Sequence, residues 1–459
     1  MTSQDIEKLR VQMRDLTNDI FLKVQQRMEL SKEIGEIKSH LCLDVTDQSA
    51  ECDIRKSILL LSKNIGLDSK FANRLLNVLF TESVRVQEMK QSDGKQTHLS
   101  IFNKAKQLEA EGKRIIHMEV GEPDYRAPLS VRNALIEAYD CGHYHYTETV
   151  GISKLRQGIA KDVGQGVSDI NVLVTPGARF GVFAVISALV QPDDEIISIE
   201  PAWPAYKECA NFIGARVRSL RTNLENEWTP DLGDLESLTS DDTKLIVLNY
   251  PNNPTGKILD DKILGKIINL AREKNIFLLS DEVYSDCTFS SFRSILEYEY
   301  DRKIMISSFS KRFAMTGFRI GYVVASKDII DKAKKIQALA VTSVSEPIQY
   351  CALAALNNGG VDNTHLIEKR LGLIMKTLDR LSIPYMKPNG SFYVFPKIGD
   401  EVDRKDLALV DELLQSGVAV APGSGFGNQY HGFIRISACQ PESLLAEGME
   451  KFERIWSSQ

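Results

Sequence analysis

The hydrophobic pattern changes once along the chain, near residue 90, and this change predicts two parts with different folds. Residues 1–90 contain no proline and repeat apolar side chains every three or four positions, as amphipathic helices do. The polar segment QSDGKQ at 91–96 breaks this periodicity and is typical of a linker. Short apolar runs then alternate with helical patterns, which predicts a largely parallel α/β sheet.

Charge and cysteine usage exclude several classes of protein. A formal net charge of −6 over 459 residues argues against a general nucleic-acid or membrane-surface binder. The seven cysteines lie far apart and are odd in number, which indicates reduced thiols in a cytoplasmic protein. Neither an apolar leader nor an apolar run of 18 residues is present, so we expect no secretory signal and no membrane span. We expect no metal site.

The first helical pattern, over 6–41, contains cations on its apolar seam. Lys23 can extend its ammonium group to solvent, but a buried Arg27 costs several kcal/mol unless it is paired. Arg27 therefore marks an ion pair, an exposed stretch of seam, or an anion site inside a helical bundle. Lys38 lies three turns away on the same face, roughly 16 Å along the axis, so both side chains can reach one small dianion. Arg10, roughly 25 Å from Arg27, can reach such a ligand only from a second protomer, which implies an intertwined dimer.

Two further pairs fall at helical spacing, and together these motifs resemble a known family. Asp47 and Glu51, like Ser83 and Gln87, are four residues apart and share a helix face. The motifs LR at 9–10, QQRMEL at 25–30, EIGEIK at 33–38 and ESVRVQ at 82–87 resemble the all-helical chorismate mutases of the bacterial dimeric type. The resemblance covers about residues 4–90, within a helical domain that we place at 1–92 and a linker at 93–97.

The resemblance implies a site that folds chorismate and places charge against its developing oxygen anion. It implies that the two carboxylates and the ether oxygen are held by Arg27, Lys38 and the partner's Arg10. It assigns the hydroxyl, the ether oxygen or the carboxylates to Asp47, Glu51, Ser83 and Gln87. One departure stands out, because the family usually has a second arginine where this chain has Ala50. Arg55 follows one turn later and is a candidate for partial compensation.

Four motifs follow predicted strands, or lie near the C-terminus, in the second part of the chain. They are NNPTG at 252–256, SDEVY at 280–284, SFSK at 308–311 and FIRIS at 433–437. Singly, each is ordinary: a turn, a helix cap, a surface lysine. Because the carboxyl ends of parallel strands meet at one edge of a sheet, this ordered set indicates a single site.

The set resembles the fold-type I pyridoxal-phosphate aminotransferases over 98–459. The resemblance implies a large α/β domain at about 141–334 and a small α+β domain from 98–140 and 335–459. It implies that Lys311 binds pyridoxal 5′-phosphate covalently and moves protons, and that Asp281 keeps the ring nitrogen protonated. The remaining cofactor contacts that it implies are Gly177, Ala178, Arg179, Trp203, Asn253, Tyr284, Ser308, Arg319 and Tyr146 from a dimer partner.

The same resemblance assigns the substrate. The fork of Arg435 suits an α-carboxylate, with help from Asn253 and the Gly121 backbone. Arg179 either meets a distal carboxylate, which favours dicarboxylic 2-oxo acids, or it faces solvent or reinforces the phosphate site.

Three functions follow. One is a bifunctional chorismate mutase and aminotransferase of phenylalanine and tyrosine synthesis, acting on prephenate or an arylpyruvate with glutamate or aspartate as donor. Another is an aspartate aminotransferase with an inactive helical remnant, which Ala50 favours. The last makes the helical part a regulatory, dimerising module. For each, the partners are small-molecule substrates and a second copy of the chain.

Overall fold

The computed structural model describes residues 3–40, 48–92, 98–359, 362–399 and 405–458. Contacts divide the chain into two compact units, Met1–Lys95 and Gln96–Gln459. Among the residues described, none of the helices combines the length and apolar character that crossing a bilayer requires.

The first unit is all helical and has the helices α1 (Ser3–His40), α2 (Gln48–Asn64) and α3 (Ser69–Ser92). Within the described residues, the predicted apolar seam lies on one helix, α1. The contacts of α3 are made with both α1 and α2, and its buried face carries Ala72, Leu76 and Phe80. The first half of α1 leaves its seam exposed, including Leu9, Met13, Leu16 and Ile20.

The second unit alternates strands and helices, as the sequence pattern predicts. Its helices are α4 (His98–Ala110), α5 (Leu129–Asp140), α6 (Ser153–Val163), α7 (Ala178–Leu189), α8 (Ala205–Phe212), α9 (Leu232–Leu238), α10 (Asp261–Lys274), α11 (Phe309–Arg312), α12 (Lys327–Ala340), α13 (Glu346–Asn358), α14 (Thr364–Arg380), α15 (Lys405–Gln415) and α16 (Glu442–Trp456). Its strands are β1 (Ile116–His117), β2 (Val172–Thr175), β3 (Glu195–Glu200), β4 (Arg216–Arg221), β5 (Thr243–Asn249), β6 (Phe277–Asp281), β7 (Lys303–Ser308), β8 (Gly321–Ala325), β9 (Tyr393–Val394), β10 (Val418–Ala419), β11 (Ala421–Pro422) and β12 (Ile434–Ser437).

Seven strands form the central sheet in the order β2-β8-β7-β6-β5-β3-β4. All pairs are parallel except those of β8, which runs antiparallel to both β2 and β7. Alternate residues point into two hydrophobic cores, Ile246 and Leu248 into one and Leu245 and Val247 into the other, so helices cover both faces. The polar strand β4 carries no apolar run that would predict it.

A second, smaller arrangement of strands lies in the same unit. It consists of the pair β1-β10 and the antiparallel sheet β11-β12-β9. Its core also takes side chains from α4, α14, α15 and α16. Helices α5 and α13 instead contribute Val131, Cys351, Ala352 and Ala355 to a core of the seven-stranded sheet. The division of this unit into large and small domains stays a prediction.

Candidate active site

In the helical unit, Arg27 lies at the packed crossing of α1 and α3. Its Nη1 donates to the carbonyl oxygen of Leu79 at 2.8 Å and to the hydroxyl of Ser83. The Ser31 hydroxyl lies 3.1 Å from that of Ser83. Burial lowers the pKa of Arg27, an effect that the charge of Glu51 opposes. Arg27 thus lies beside Ser83 and within electrostatic reach of Glu51.

Gln87 lies one turn beyond Ser83 and is buried, with no hydrogen-bond partner for its Oε1 among the residues described. A Cβ on Gly35 would come within 2.9 Å of the Gln87 Cγ, so the close approach of α1 needs glycine there. Lys38 is half-buried on α1, whereas Arg10 is exposed and pairs with Glu7 at 3.2 Å. That exposure leaves Arg10 available to a neighbouring protomer. Asp47 lies outside the described residues.

In the second unit, Lys311 lies on the single turn α11, directly after β7. Its Nζ donates to the carbonyl oxygen of Gly121, and its own carbonyl accepts from the Tyr125 hydroxyl at 2.9 Å. Burial lowers the pKa of Lys311 to about 8, and the charges of Arg435 and Arg319 act in the same direction. Lys311 therefore has an appreciable neutral fraction near pH 7, as a nucleophile or proton carrier needs.

Asp281 ends β6 and is almost wholly buried. Its Oδ2 accepts a hydrogen bond from the Tyr206 hydroxyl at 2.6 Å, and its Oδ1 accepts from the Val283 backbone at 3.3 Å. Burial raises the pKa of Asp281 to about 6, although both hydrogen bonds and the charge of Lys311 oppose the rise. This carboxylate is suited to hold a buried cation.

Arg435 on β12 is 2% exposed. Its Nη1 donates to Oδ1 of Asn253 at 2.7 Å, and its Nη2 donates to the carbonyl oxygen of Glu119. Its guanidinium carbon lies 4.2 Å from the centroid of the Tyr393 ring. Within the described residues no carboxylate pairs with Arg435, and its Nε has no partner. Because a buried cation with only neutral partners is costly, this arrangement is suited to an anionic ligand.

Two tyrosines, Tyr284 and Tyr393, are buried near Arg435. The hydroxyls of Tyr284 and Tyr393 lie 3.1 Å apart. Since Oδ1 of Asn253 accepts from Arg435, its Nδ2 is the group left to donate. A Cβ on Gly121 would lie 1.7 Å from the Tyr393 hydroxyl oxygen, so only glycine allows this approach.

A turn whose geometry suits an anion lies between β2 and α7. Gly177 has φ of +81° and precedes the first residue of α7, Ala178, where free backbone N–H groups favour an anion. A Cβ on Gly177 would lie 2.5 Å from Nη2 of Arg319. Ser308 is buried at the end of β7, and its hydroxyl lies 3.0 Å from the carbonyl oxygen of Ile320.

Arg179 and Tyr146 are exposed, and Trp203 is partly exposed. The guanidinium carbon of Arg179 lies 4.5 Å from the centroid of Trp203, whose ring is edge-on to Tyr206. Arg179 is exposed but is held by this contact. Tyr146 is 90% exposed, which suits a residue that acts in a neighbouring subunit.

Several residues near these groups were not predicted. Tyr206 lies three positions after Trp203, a spacing that would place both on one face of a short helix, yet nothing in the sequence pairs it with Asp281. Tyr393 lies in an apolar stretch and Tyr125 in a polar one, and neither stretch has a pattern that marks a functional residue. In the helical unit the contacts of Arg55 depend on α3, which sequence spacing on α2 does not predict.

Comparison with known proteins identifies both units. Residues 113–452 match the family described as aminotransferase class I and II. Residues 9–88 match the family described as chorismate mutase type II. Both resemblances inferred from sequence, and with them the fold class, are confirmed.

Individual proteins similar to this chain are also aminotransferases. The aspartate aminotransferase of Thermotoga maritima is 32% identical over 77% of this chain and 95% of its own length. The aspartate/prephenate aminotransferase of Thermus thermophilus is 30% identical over 81% of this chain and 98% of its own length. A solved structure of Thermus thermophilus aspartate aminotransferase with maleate matches with a TM-score of 0.74 at 28% identity, covering 79% of this chain and 97% of that chain.

Proposed function

The chain belongs to the class I and II aminotransferases, and we propose that it is a bifunctional enzyme that makes prephenate from chorismate and transaminates a product of that step. The presence of a chorismate mutase type II domain at residues 9–88 of an aminotransferase chain carries the proposal. Prephenate has a 2-oxo acid group and a second carboxylate, so it is a chemically suitable amino acceptor. Glutamate or aspartate would be the donor.

Fold-type I aminotransferases use pyridoxal 5′-phosphate, and the residues present fit it. Gly177, Ala178 and Arg319 form an anion-binding turn for its phosphate, with Ser308 beside it. Asp281 would hold a proton on its ring nitrogen. When bound, the cofactor supplies an electron-withdrawing ring.

Other side chains complete the cofactor site. Tyr284 and Nδ2 of Asn253 would donate hydrogen bonds to the ring oxygen, and Trp203 would stack on the ring. Lys311 would hold the cofactor through its amine and move the proton of the substrate Cα, for which the lowered pKa of its ammonium group is suitable.

Arg435 would bind the α-carboxylate, since its fork is oriented by Asn253 and Glu119 and lacks a carboxylate partner within the described residues. The Gly121 backbone would contribute. Arg179 would meet the distal carboxylate of a dicarboxylic substrate. The binding of maleate, a dicarboxylate, by the Thermus relative supports a site of this type.

The helical unit would perform the first reaction by positioning alone. Arg27 and Lys38, with Arg10 of a second protomer, would hold the carboxylates and the ether oxygen of chorismate. Ser83 and Gln87 would add hydrogen bonds, and the unpaired Oε1 shows that the Gln87 amide has capacity left. Glu51 and Asp47 would bind the hydroxyl. No nucleophile is needed, because the substrate only has to be folded and its developing charge stabilised.

Both reactions would require a homodimer. Arg10 and Tyr146 are exposed in one chain and would act in the sites of the other.

The deciding experiment incubates full-length protein with chorismate, glutamate and cofactor, and identifies products by mass over time. Prephenate should form first and its amino derivative second. Loss of chorismate without any new amino acid, when prephenate, phenylpyruvate and hydroxyphenylpyruvate are also supplied, would contradict the second step.

The second candidate is an aspartate aminotransferase whose helical unit binds but does not convert chorismate. Ala50 favours it, because the site lacks an arginine expected there. In that case oxaloacetate would be the preferred acceptor, and chorismate would persist in the same incubation.

A further inference from the structure

The helical unit places a second guanidinium group beside the aromatic ring that Arg27 contacts. The guanidinium carbon of Arg27 lies 5.7 Å from the centroid of Phe80, and that of Arg55 lies 5.4 Å from the same centroid. Arg55 is half-buried on α2, four residues after Glu51 and therefore on the same helix face. Two cations from different helices thus lie close to one buried ring of α3.

Neutral groups hold Arg55 in place. Its Nη1 donates to Oδ1 of Asn73, and its Nη2 donates to Oδ1 of Asn77 at 2.8 Å. A guanidinium group has five N–H donors, so these two bonds leave capacity for a ligand. No ion pair to Arg55 occurs within the described part of the chain. The asparagines therefore orient the fork without neutralising its charge.

Two cations beside one ring, in a partly desolvated position, repel each other. The charge of Glu51 acts on Arg27, whereas the hydrogen-bond partners of Arg55 are the side-chain amides of Asn73 and Asn77. An anionic ligand that lies between the two forks would relieve this repulsion, and carboxylates match the guanidinium geometry. Phe80 offers an apolar surface for the body of such a ligand.

We propose that Arg55 is the second carboxylate-binding arginine of the helical unit and supplies, from the next turn of α2, the cation that position 50 lacks. The inference rests on the proposed mutase function. It also removes the main argument for an inactive unit, because Ala50 is then a relocation of the charge and not its loss. The ligand class is a small dicarboxylate such as chorismate.

The test uses full-length protein with the variants Arg55→Gln, Arg55→Lys and Arg74→Gln, and measures chorismate KM, kcat and Tm. Glutamine can still donate to an asparagine, so Arg55→Gln removes the charge while it keeps a bond between α2 and α3. We expect its KM to rise at least 10-fold with a smaller change in kcat, and Arg55→Lys to recover part of the loss. Arg74, exposed on α3, is the matched control and should leave KM unchanged.

Rescue separates ligand binding from helix packing. Adding Ala50→Arg to Arg55→Gln should lower the KM towards that of the unmodified protein, although it restores no bond to Asn73 or Asn77. An unchanged KM in Arg55→Gln, or a fall in Tm and kcat alone, overturns the role of Arg55 and leaves the proposed function standing. If the unmodified protein does not turn over chorismate, calorimetric Kd values replace KM in the same comparison. Absence of both turnover and binding overturns the proposed mutase function together with this inference.

Discussion

Tyr206 donates a hydrogen bond from its hydroxyl to Oδ2 of Asp281 over 2.6 Å, and both side chains are buried. The hydrogen bond lowers the pKa of Asp281, while burial raises it to about 6. Tyr206 therefore helps to decide at what pH this carboxylate can pair with a protonated ring nitrogen.

Tyr206→Phe should shift the pH dependence of cofactor binding upward. Asp281 is ionised above its pKa, so affinity for pyridoxal 5′-phosphate should fall as the pH falls through about 6. Without the hydroxyl, the midpoint should rise by roughly one pH unit. Absorbance titrations from pH 5 to 8, in a Lys311→Ala background, isolate this effect from covalent capture.

The matched control is Tyr300→Phe. Its hydroxyl donates to the carbonyl oxygen of Ala271 at 3.0 Å. Tyr300 precedes the first residue of β7, whereas Lys311 follows the last. Tyr300→Phe also removes a hydroxyl oxygen, but one that does not contact Asp281. The pH midpoint of cofactor binding should therefore not change in this variant. Equal midpoints in both variants would exclude a role for Tyr206 in the ionisation of Asp281.

Capture of the cofactor by Lys311 should also increase with pH, but around a higher midpoint. The amine reacts when neutral, so the rate at which the apoprotein forms its covalent adduct should rise with pH and level off above about 8. Arg435→Met removes a charge that lowers the pKa of Lys311, so the profile should move to higher pH. Stopped-flow absorbance measures the rate, and Arg272→Met, on the surface of α10, serves as the control.

A profile that does not move in Arg435→Met would show that the charge of Arg435 does not contribute to the lowered pKa of Lys311. Burial is the largest cause of the lowered pKa of Lys311, so the shift should be modest.

The sequence predicts the elements of the site better than its hydrogen bonds. Lys311 and Asp281 follow apolar runs that can only be buried strands, and the parallel order then brings their ends together. The polar strand β4 and the pairing of Tyr206 with Asp281 escape such reasoning, because both depend on contacts between distant segments. Arg55 shows the same limit. Its position on α2 is evident from helical spacing, but its approach to Phe80 is set by how α2 packs on α3.

Arg179→Gln should distinguish the two roles left open for Arg179. If it meets a distal carboxylate, KM for glutamate and aspartate should rise about 10-fold or more, while KM for phenylalanine as donor stays the same. If it reinforces the phosphate site, cofactor affinity should fall and all donors should suffer alike. Steady-state kinetics with the three donors, together with a cofactor titration, separate these outcomes.

Arg179→Lys is the variant with which Arg179→Gln is compared. It keeps the positive charge but loses the planar fork and much of the stacking on Trp203, 4.5 Å away. We expect it to retain part of the preference for dicarboxylic donors. Identical kinetics in the unmodified protein and both variants would mean that Arg179 contacts neither ligand.

Arg27→Ala should abolish chorismate turnover and leave transamination intact. Its Nη1 joins Leu79 and Ser83 in the helical unit, which is a separate compact unit from residues 96–459. Loss of a charge-assisted contact to a carboxylate and of its transition-state stabilisation should lower kcat/KM by at least 100-fold. Chorismate loss at its ultraviolet absorbance and transamination with glutamate are measured on the same preparation.

Transamination is an internal control, because it reports whether the rest of the chain is folded. Ser83→Ala is a milder change at the same site. Removing that hydroxyl frees Arg27 of one neutral partner but keeps its charge, so kcat/KM should fall far less than in Arg27→Ala. The two activities should therefore separate only in variants of the helical unit. If Arg27→Ala retained full mutase turnover, chorismate would have to bind elsewhere, and the proposed anion site at Arg27 would be contradicted.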